Sequence, residues 1–197
     1  GYRLNTNFHE EKFDLGRMFG FAYGEKENGA VFSHMAVMYS NALYQRGFAK
    51  EGNKVLQALL DAAMEFDNSK MYPGLPEYFD NQGRGLYAYL TGAASWYMLT
   101  MITEVFGVKG DCGDLKIAPA LMPEQYNQDG KAVLKMTFAG RNFEIIFYNK
   151  EKKEFNQKAV CDGKALEIAA ERCTILSKRE IQMLSVKETH KIEIELV

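Results

Sequence analysis

The stretch FGVKGDCGDLKIAP, Phe106 to Pro119, divides the 197-residue chain into two kinds of sequence. Gly107, Gly110 and Gly113 end any helix that reaches them. Leu115 and Ile117 then alternate with Asp114 and Lys116, which is the period of a half-buried strand. Before this stretch, aromatic, Met and Ala residues recur at helical spacing. After it, short β-type runs alternate with charged turns. The fold class expected is therefore α+β, with helices in residues 1–110 and antiparallel strands in 111–197.

Working toward the N-terminus, a helix is expected from about Gly92 to Phe106, burying Trp96, Leu99, Ile102, Thr103 and Phe106. It follows a long loop, DNSKMYPGLPEYFDNQGRG, that holds Pro73 and Pro76. A loop of that length inside a compact domain is more often functional than accidental. Two further helices precede it. One spans Val31 to Arg46, with Met35, Met38, Ala42 and Leu43 inward, and ends at Gly47. The other runs from Ala49 to about Phe66, with Val55, Leu56, Leu59, Leu60, Ala63 and Met64 on one face. Their short link predicts an antiparallel pair. The opening segment, with four glycines in DLGRMFGFAYGEKENG, reads as ordered loop.

Toward the C-terminus, AVLKMTFAGRNFEIIFYN predicts a hairpin turning at Ala139-Gly140. KIEIELV alternates cleanly and predicts a half-buried antiparallel strand, with Ile192, Ile194 and Leu196 on the inner face.

Composition narrows the function. A formal net charge of −2 gives no electrostatic ground for nucleic acid or an acidic membrane. No apolar run approaches the roughly 20 residues that span a bilayer. No basic start followed by an apolar region and a cleavage site is present. The three cysteines, Cys112, Cys161 and Cys173, include no C-x-x-C pair. That argues against a disulfide framework or a zinc site and for a reducing compartment, so a cytoplasmic protein without a metal is expected. The chain opens on GYRLNTNF, without an initiator Met, and reads as a piece of something longer.

The stretch KENGAVFSHM, Lys26 to Met35, carries the first candidate chemistry. His34 falls in the first turn of a helix, where free N–H groups favour an anion. The plainer reading is a partly buried His bonded to a carbonyl. Thr91 and Gly92 open the next candidate helix start. Thr91 is a fitting N-cap and Gly92 lets a ligand come close to the backbone, although a simple cap explains both. Lys26 and Glu27 lie in a Gly-bounded loop and either bond sugar hydroxyls or face water. Tyr72, Glu77, Tyr78 and Phe79 combine aromatic rings with a carboxylate, the usual means of holding a sugar, or else simply pin their loop. No pair of carboxylates, Ser-His-Asp order, phosphate loop or metal-ligand spacing stands out.

Taken in order, EKENGAVFSHM, YPGLPEYF and YLTGAASWYMLTMITEVFGVKGDCGDLKIAPAL resemble the C-terminal part of the inverting glycoside phosphorylases. These are the family of cellobiose phosphorylase and β-1,2-oligoglucan phosphorylase, to which the C-terminal region of cyclic β-1,2-glucan synthase is similar. The resemblance covers residues 1 to about 148. It implies the C-terminal portion of an (α/α)6 barrel followed by a small antiparallel β-sandwich. It implies phosphorolysis of β-linked glucosyl oligosaccharides to α-glucose 1-phosphate with inversion, phosphate being a co-substrate and no cofactor being needed. It also implies phosphate contacts at His34, Thr91 and Gly92, and sugar contacts at Lys26 and Glu27. Glu77 and Tyr78 stand beside them as sugar-binding candidates on the reading of the loop's own residues, and that loop looks nearer to the β-1,2-glucan branch than to cellobiose phosphorylase. Members of the family are commonly homodimers. The family's general-acid Asp has no match here, so the chain alone is expected to be inactive. A non-catalytic carbohydrate-binding or oligomerising domain is the alternative.

Overall fold

A computed structural model describes residues 1–71, 74–88, 92–149, 156–169 and 173–196, with the side chains of all of these except 156 and 157. The chain divides into two compact units, Gly1–Thr100 and Met101–Val197. The division falls ahead of the compositional change near residue 110. Helix and largely antiparallel sheet are both present, as an α+β chain requires.

In the first unit, two short 3-10 turns, Phe13–Leu15 and Arg17–Gly20, lead to strand β1 (Val31–Phe32) and helix α1 (Ser33–Gln45). Gly47, at φ +81°, ends α1 and releases the chain into α2 (Ala49–Met64). A four-residue helix, α3 (Phe66–Ser69), follows. β2 (Tyr78–Phe79) and β3 (Gly85–Leu86) complete a small antiparallel sheet in the order β1-β2-β3. Helix α4 spans Gly92–Thr100.

The inward face of α1 differs from the expected one. Ala36, Val37, Ser40, Asn41 and Tyr44 are buried, while Met35 and Met38 are exposed. The reason is polar. Ser40 Oγ donates to the Gly52 carbonyl at 2.8 Å, and Asn41 Nδ2 donates to Thr100 Oγ1 at 3.1 Å. Small side chains with partners across the helices let the backbones approach, and the hydrogen bonds offset the desolvation of the buried polar groups. The second helix turns Val55, Leu56, Leu59 and Ala63 inward as expected, but leaves Leu60 and Met64 outside.

Helix α4 also departs from expectation. The chain switches to a π turn over Met101–Val105, where Phe106 N donates to the Met101 carbonyl at 2.8 Å. The wider turn resets the facing of the residues that follow it. Leu99 is 46% exposed, whereas Ala93, Thr100, Glu104 and Val105 are buried. Glu104 is tolerated inside because Lys109 Nζ lies 2.8 Å from its carboxylate.

The first unit carries exposed apolar side chains, Met64 at 58% and Met98 at 59% among them. They flank a shallow apolar depression of about 270 Å³ that Leu60, Phe66, Met71 and Tyr97 help to line. Expressed alone, this chain should self-associate at micromolar concentration. A monomer by sedimentation equilibrium, with full helical content, would contradict that.

The second unit holds two sheets. Strands β4 (Val108–Asp111), β5 (Asp114–Ile117), β10 (Glu167–Ala169) and β11 (Cys173–Leu176) form one in the order β10-β11-β5-β4. Strands β6 (Lys131–Phe138), β7 (Arg141–Tyr148), β8 (Asn156–Cys161), β9 (Lys164–Ala165) and β12 (Thr189–Leu196) form the other, β6-β7-β12-β8-β9. The β6–β7 hairpin turns at Ala139 and Gly140, both at positive φ, as a two-residue primed turn needs. The terminal strand is not purely antiparallel. β12 pairs antiparallel with β8 but parallel with β7, Ile192 facing Ile145 and Ile194 facing Phe147. A strand buried between two neighbours needs only the alternating pattern, and that pattern does not encode direction. Leu115, Ile117 and Leu176 of one sheet and Phe143, Ile145, Phe147, Ile192 and Ile194 of the other share one buried cluster. Helix α5 (Lys178–Met183) adds Ile181 to it and is capped by Ser177 and Glu180 acting reciprocally.

At the start of β12 sits a buried histidine. His190 Nδ1 meets Asp162 Oδ2 at 2.6 Å and Nε2 meets the Ser185 carbonyl at 2.8 Å. Both acceptors call for a proton on the ring nitrogen facing them, which is the imidazolium. Burial opposes that form, yet the Asp162 carboxylate and the Ser185 carbonyl outweigh it and raise the His190 pKa above 6.5. Burial likewise opposes the Asp162 carboxylate, but the Lys191 N–H and His190 hold its pKa below 3.8. The His190 contribution is therefore complete below about pH 6.5 and lost as pH rises through the folded value. The Asp162 contribution is present above about pH 3.8 and lost as pH falls through its folded value. His190→Gln should cost roughly 1 kcal/mol at pH 5.5, Asp162 being partly screened by solvent, and less at pH 8.5. Urea unfolding at the two pH values measures this, and an equal loss at both would refute the charged pair.

Candidate functional site

The start of α1 is pinned to the small sheet. Ser33 N donates to the Glu77 carbonyl at 2.9 Å, one residue from the Phe32–Tyr78 pair of β1 and β2. The N-cap residue, Phe32, makes no side-chain cap. The first-turn N–H groups of α1 therefore have no capping side chain from that position, and a 13-residue helix directs its dipole there.

His34 is the second residue of α1. Its ring is half-buried, and Nε2 is buried with no hydrogen-bond partner among the described residues. The Ser33 hydroxyl beside it is fully buried and equally unpartnered among them. The imidazole lies against Gly92 at the start of α4. A Cβ on Gly92 would stand 2.6 Å from His34 Cε1 and 2.8 Å from Nδ1. Trp96, one turn into α4, sets its ring 5.9 Å from the imidazole at a tilt of 49°. Sequence reasoning assigned Trp96 to the core and missed this contact. Helical spacing cannot tell an inward aromatic from one that braces a histidine. Two candidate phosphate residues, His34 and Gly92, are thus in contact across two helix starts. Thr91 and Tyr72 lie outside the described residues.

Lys26 and Glu27 sit in a tightly built loop. Asn28 N donates to the Glu25 carbonyl at 2.9 Å and Gly24 N to the Asn28 carbonyl at 2.6 Å. Asn28 is itself held, its Nδ2 donating to the Phe21 carbonyl at 2.6 Å and its Oδ1 accepting from Asn5 at 3.0 Å. This places Glu27 3.7 Å from Arg17, with Oε2 buried and unpartnered among the described residues. The Lys26 ammonium lies 4.3 Å from the centre of the Tyr87 ring. The Tyr87 hydroxyl, then the nearby Glu77 carboxylate, raise the Lys26 pKa. Tyr78 is buried, and its hydroxyl donates a hydrogen bond to Glu25 Oε2 at 2.9 Å. Burial and then that bond push the Tyr78 phenol well above its usual value, so it stays a donor. Lys26, Glu77 and Tyr78 therefore share one neighbourhood. Glu25 and Tyr87 belong to it too, and nothing in the one-dimensional pattern marked them.

Among the described residues no group of three or more His, Cys, Asp or Glu is placed to hold a metal ion. No helix of the described residues is long and apolar enough to cross a membrane. Among the described residues the start of α1 offers an unpartnered Ser33 hydroxyl and a buried imidazole nitrogen, and the Lys26 neighbourhood offers carboxylates, an ammonium and tyrosines. The first suits an oxyanion and the second a polyhydroxylated ring.

No family model matches the chain. The chain is similar to cellobionic acid phosphorylase of Neurospora crassa, with 28% identity over 147 residues that cover 67% of this chain. It spans 18% of that relative's length.

Proposed function

We propose that the chain is the C-terminal part of an inverting glycoside phosphorylase. The observation that carries this is the His34 imidazole lying on Gly92, with Nε2 buried and unpartnered among the described residues, where α1 and α4 begin. The likeness to a phosphorylase supports it. In this reading the described helices of the first unit are the last ones of an (α/α)6 barrel, and the second unit is the β-sandwich that follows it in the chain. The intact protein would be a cytoplasmic homodimer.

The reaction needs little from these residues beyond binding and orientation. A phosphate oxygen bonds to the anomeric carbon of a β-linked glucosyl unit. The glycosidic C–O bond breaks, and its electron pair leaves with the departing sugar. An acid from outside these residues gives that oxygen its proton. His34, with Thr91 and the Gly92 backbone, holds the phosphate on the face opposite the leaving group, where preorganised donors count most. Lys26, Glu27, Glu77 and Tyr78 hold the sugar. The substrate is a β-linked glucosyl oligosaccharide of the β-1,2 type.

The test is release of glucose 1-phosphate by the full-length protein, given phosphate and β-1,2-, β-1,3- or β-1,4-linked glucans. The β-1,2 substrate should release it. Sugar binding without any release would favour a carbohydrate-binding module and overturn the proposal.

A further inference from the structure

Lys26 and Tyr87 are both non-glycine residues in the left-handed region, at φ +43° and +61°. Such backbone costs energy and persists only where its surroundings impose it. Here they do. Lys26 stands in the Glu25–Asn28 turn, and the Tyr87 carbonyl accepts from Glu77 N at 3.2 Å. The two strained residues meet, ammonium over ring at 4.3 Å. The ring of Tyr87 also lies 5.9 Å from that of Tyr78, which bonds Glu25. Lys26 is therefore held from its own turn and from the β3 side together, and a long side chain that would otherwise sample many rotamers is set in one place.

The charges around it are unequal. Glu25, Glu27 and Glu77 bring three carboxylates against two cations, Lys26 and Arg17, and Arg17 already faces Glu27. The buried Glu27 Oε2 can only accept a hydrogen bond, and no described residue gives it one. A hydroxyl supplies that donor. A second carboxylate supplies none and adds a like charge. We infer that this cluster takes a neutral, hydroxyl-rich ring in preference to an acidic one, with Tyr87 as the positioning residue that holds the Lys26 ammonium ready for one of the hydroxyls. The inference rests on the phosphorylase reading in placing the leaving sugar here. It also separates this chain from its Neurospora crassa relative, which is named for an acidic sugar.

The test uses the full-length protein in the synthetic direction, with glucose 1-phosphate as donor and glucose or glucuronate as acceptor. These acceptors share a ring and differ in one carboxylate. Glucose should be favoured in kcat/KM by about tenfold or more. Tyr87→Leu should raise the KM for glucose by roughly tenfold and leave kcat and the KM for glucose 1-phosphate within about twofold. Tyr87→Phe, which keeps the ring under the ammonium but loses the hydroxyl, should fall between wild type and Tyr87→Leu in its KM for glucose. Lys26→Met should match Tyr87→Leu, which guards against a Leu variant that fails to fold. Equal or better use of glucuronate overturns the inference. So does a Tyr87→Leu variant that changes nothing, or one that shifts kcat and both KM values together. If the wild-type protein does not turn over glucose 1-phosphate at all, the phosphorylase reading fails. Saturation-transfer NMR with the same two sugars then decides the inference: binding of glucose over glucuronate, lost in Tyr87→Leu, upholds it, and any other order refutes it.

Discussion

Replacing Gly92 by alanine should raise the phosphate concentration needed for half-maximal rate by about tenfold to a hundredfold in the full-length protein. The new methyl would stand 2.6 Å from His34 Cε1 and 2.8 Å from Nδ1, closer than real carbon contacts allow. The ring must move, and Trp96 on its neighbouring side limits where it can go. Overpacking of this kind costs roughly 1–3 kcal/mol of stability, which a folded protein survives. The loss of a hydrogen bond to a charged ligand, about 1.5–3 kcal/mol, is what the phosphate dependence reports. His34→Ala should give a similar rise by direct deletion. The double variant is decisive. Once the imidazole is gone, Gly92→Ala should add little, because both changes remove the same contact. Full additivity would mean that Gly92 serves the ligand directly, through close backbone approach, and not through the histidine.

The second large effect is on stability. Phe147→Ala should destabilise the second unit by about 3–5 kcal/mol. Phe147 is fully buried on β7, in contact range of Phe106 at 5.7 Å between ring centres, and β7 is flanked by strands on both sides. No exposed side can collapse to fill the void. A loss of that size is a large share of the roughly 5–15 kcal/mol that holds a domain together. Chemical denaturation should show a lower midpoint with an unchanged slope. A loss under about 1 kcal/mol would mean the cluster is not the continuous core described above.

Much of the architecture was legible because it depends on periodicity. The β6–β7 hairpin, its turn at Ala139-Gly140, the Val55, Leu56, Leu59 and Ala63 part of the inner face of α2 and the helix-to-strand passage at Phe106–Pro119 all announce themselves through spacing and glycine. What failed was direction and facing. Ser40 and Asn41 look like surface residues until their partners on other helices are known, so the Met stripe of α1 was put inside. Leu99 fits the apolar spacing of α4 yet faces outward, and the π turn over Met101–Val105 leaves no mark in the sequence. The candidate site was legible only in part. His34 and Gly92 could be marked by their positions at helix starts, but their contact, and the reason alanine is excluded there, is tertiary. Tyr87 gave no signal because a left-handed backbone at a tyrosine is imposed by its neighbours and not by its own preference.

The position of β12 has a bearing on how the second unit is made. In chain order it follows every other strand of its sheet, yet it lies in the middle, between β7 and β8. The β6–β7 and β8–β9 hairpins each leave the ribosome with an open, hydrogen-bond-hungry margin and wait for one late segment to join them. Closure by such a distant partner is slow and exposes sticky intermediates. Synthesis paused ahead of Thr189 would strand two half-sheets, so chaperone demand should rise sharply at that point and vanish once the strand is delivered.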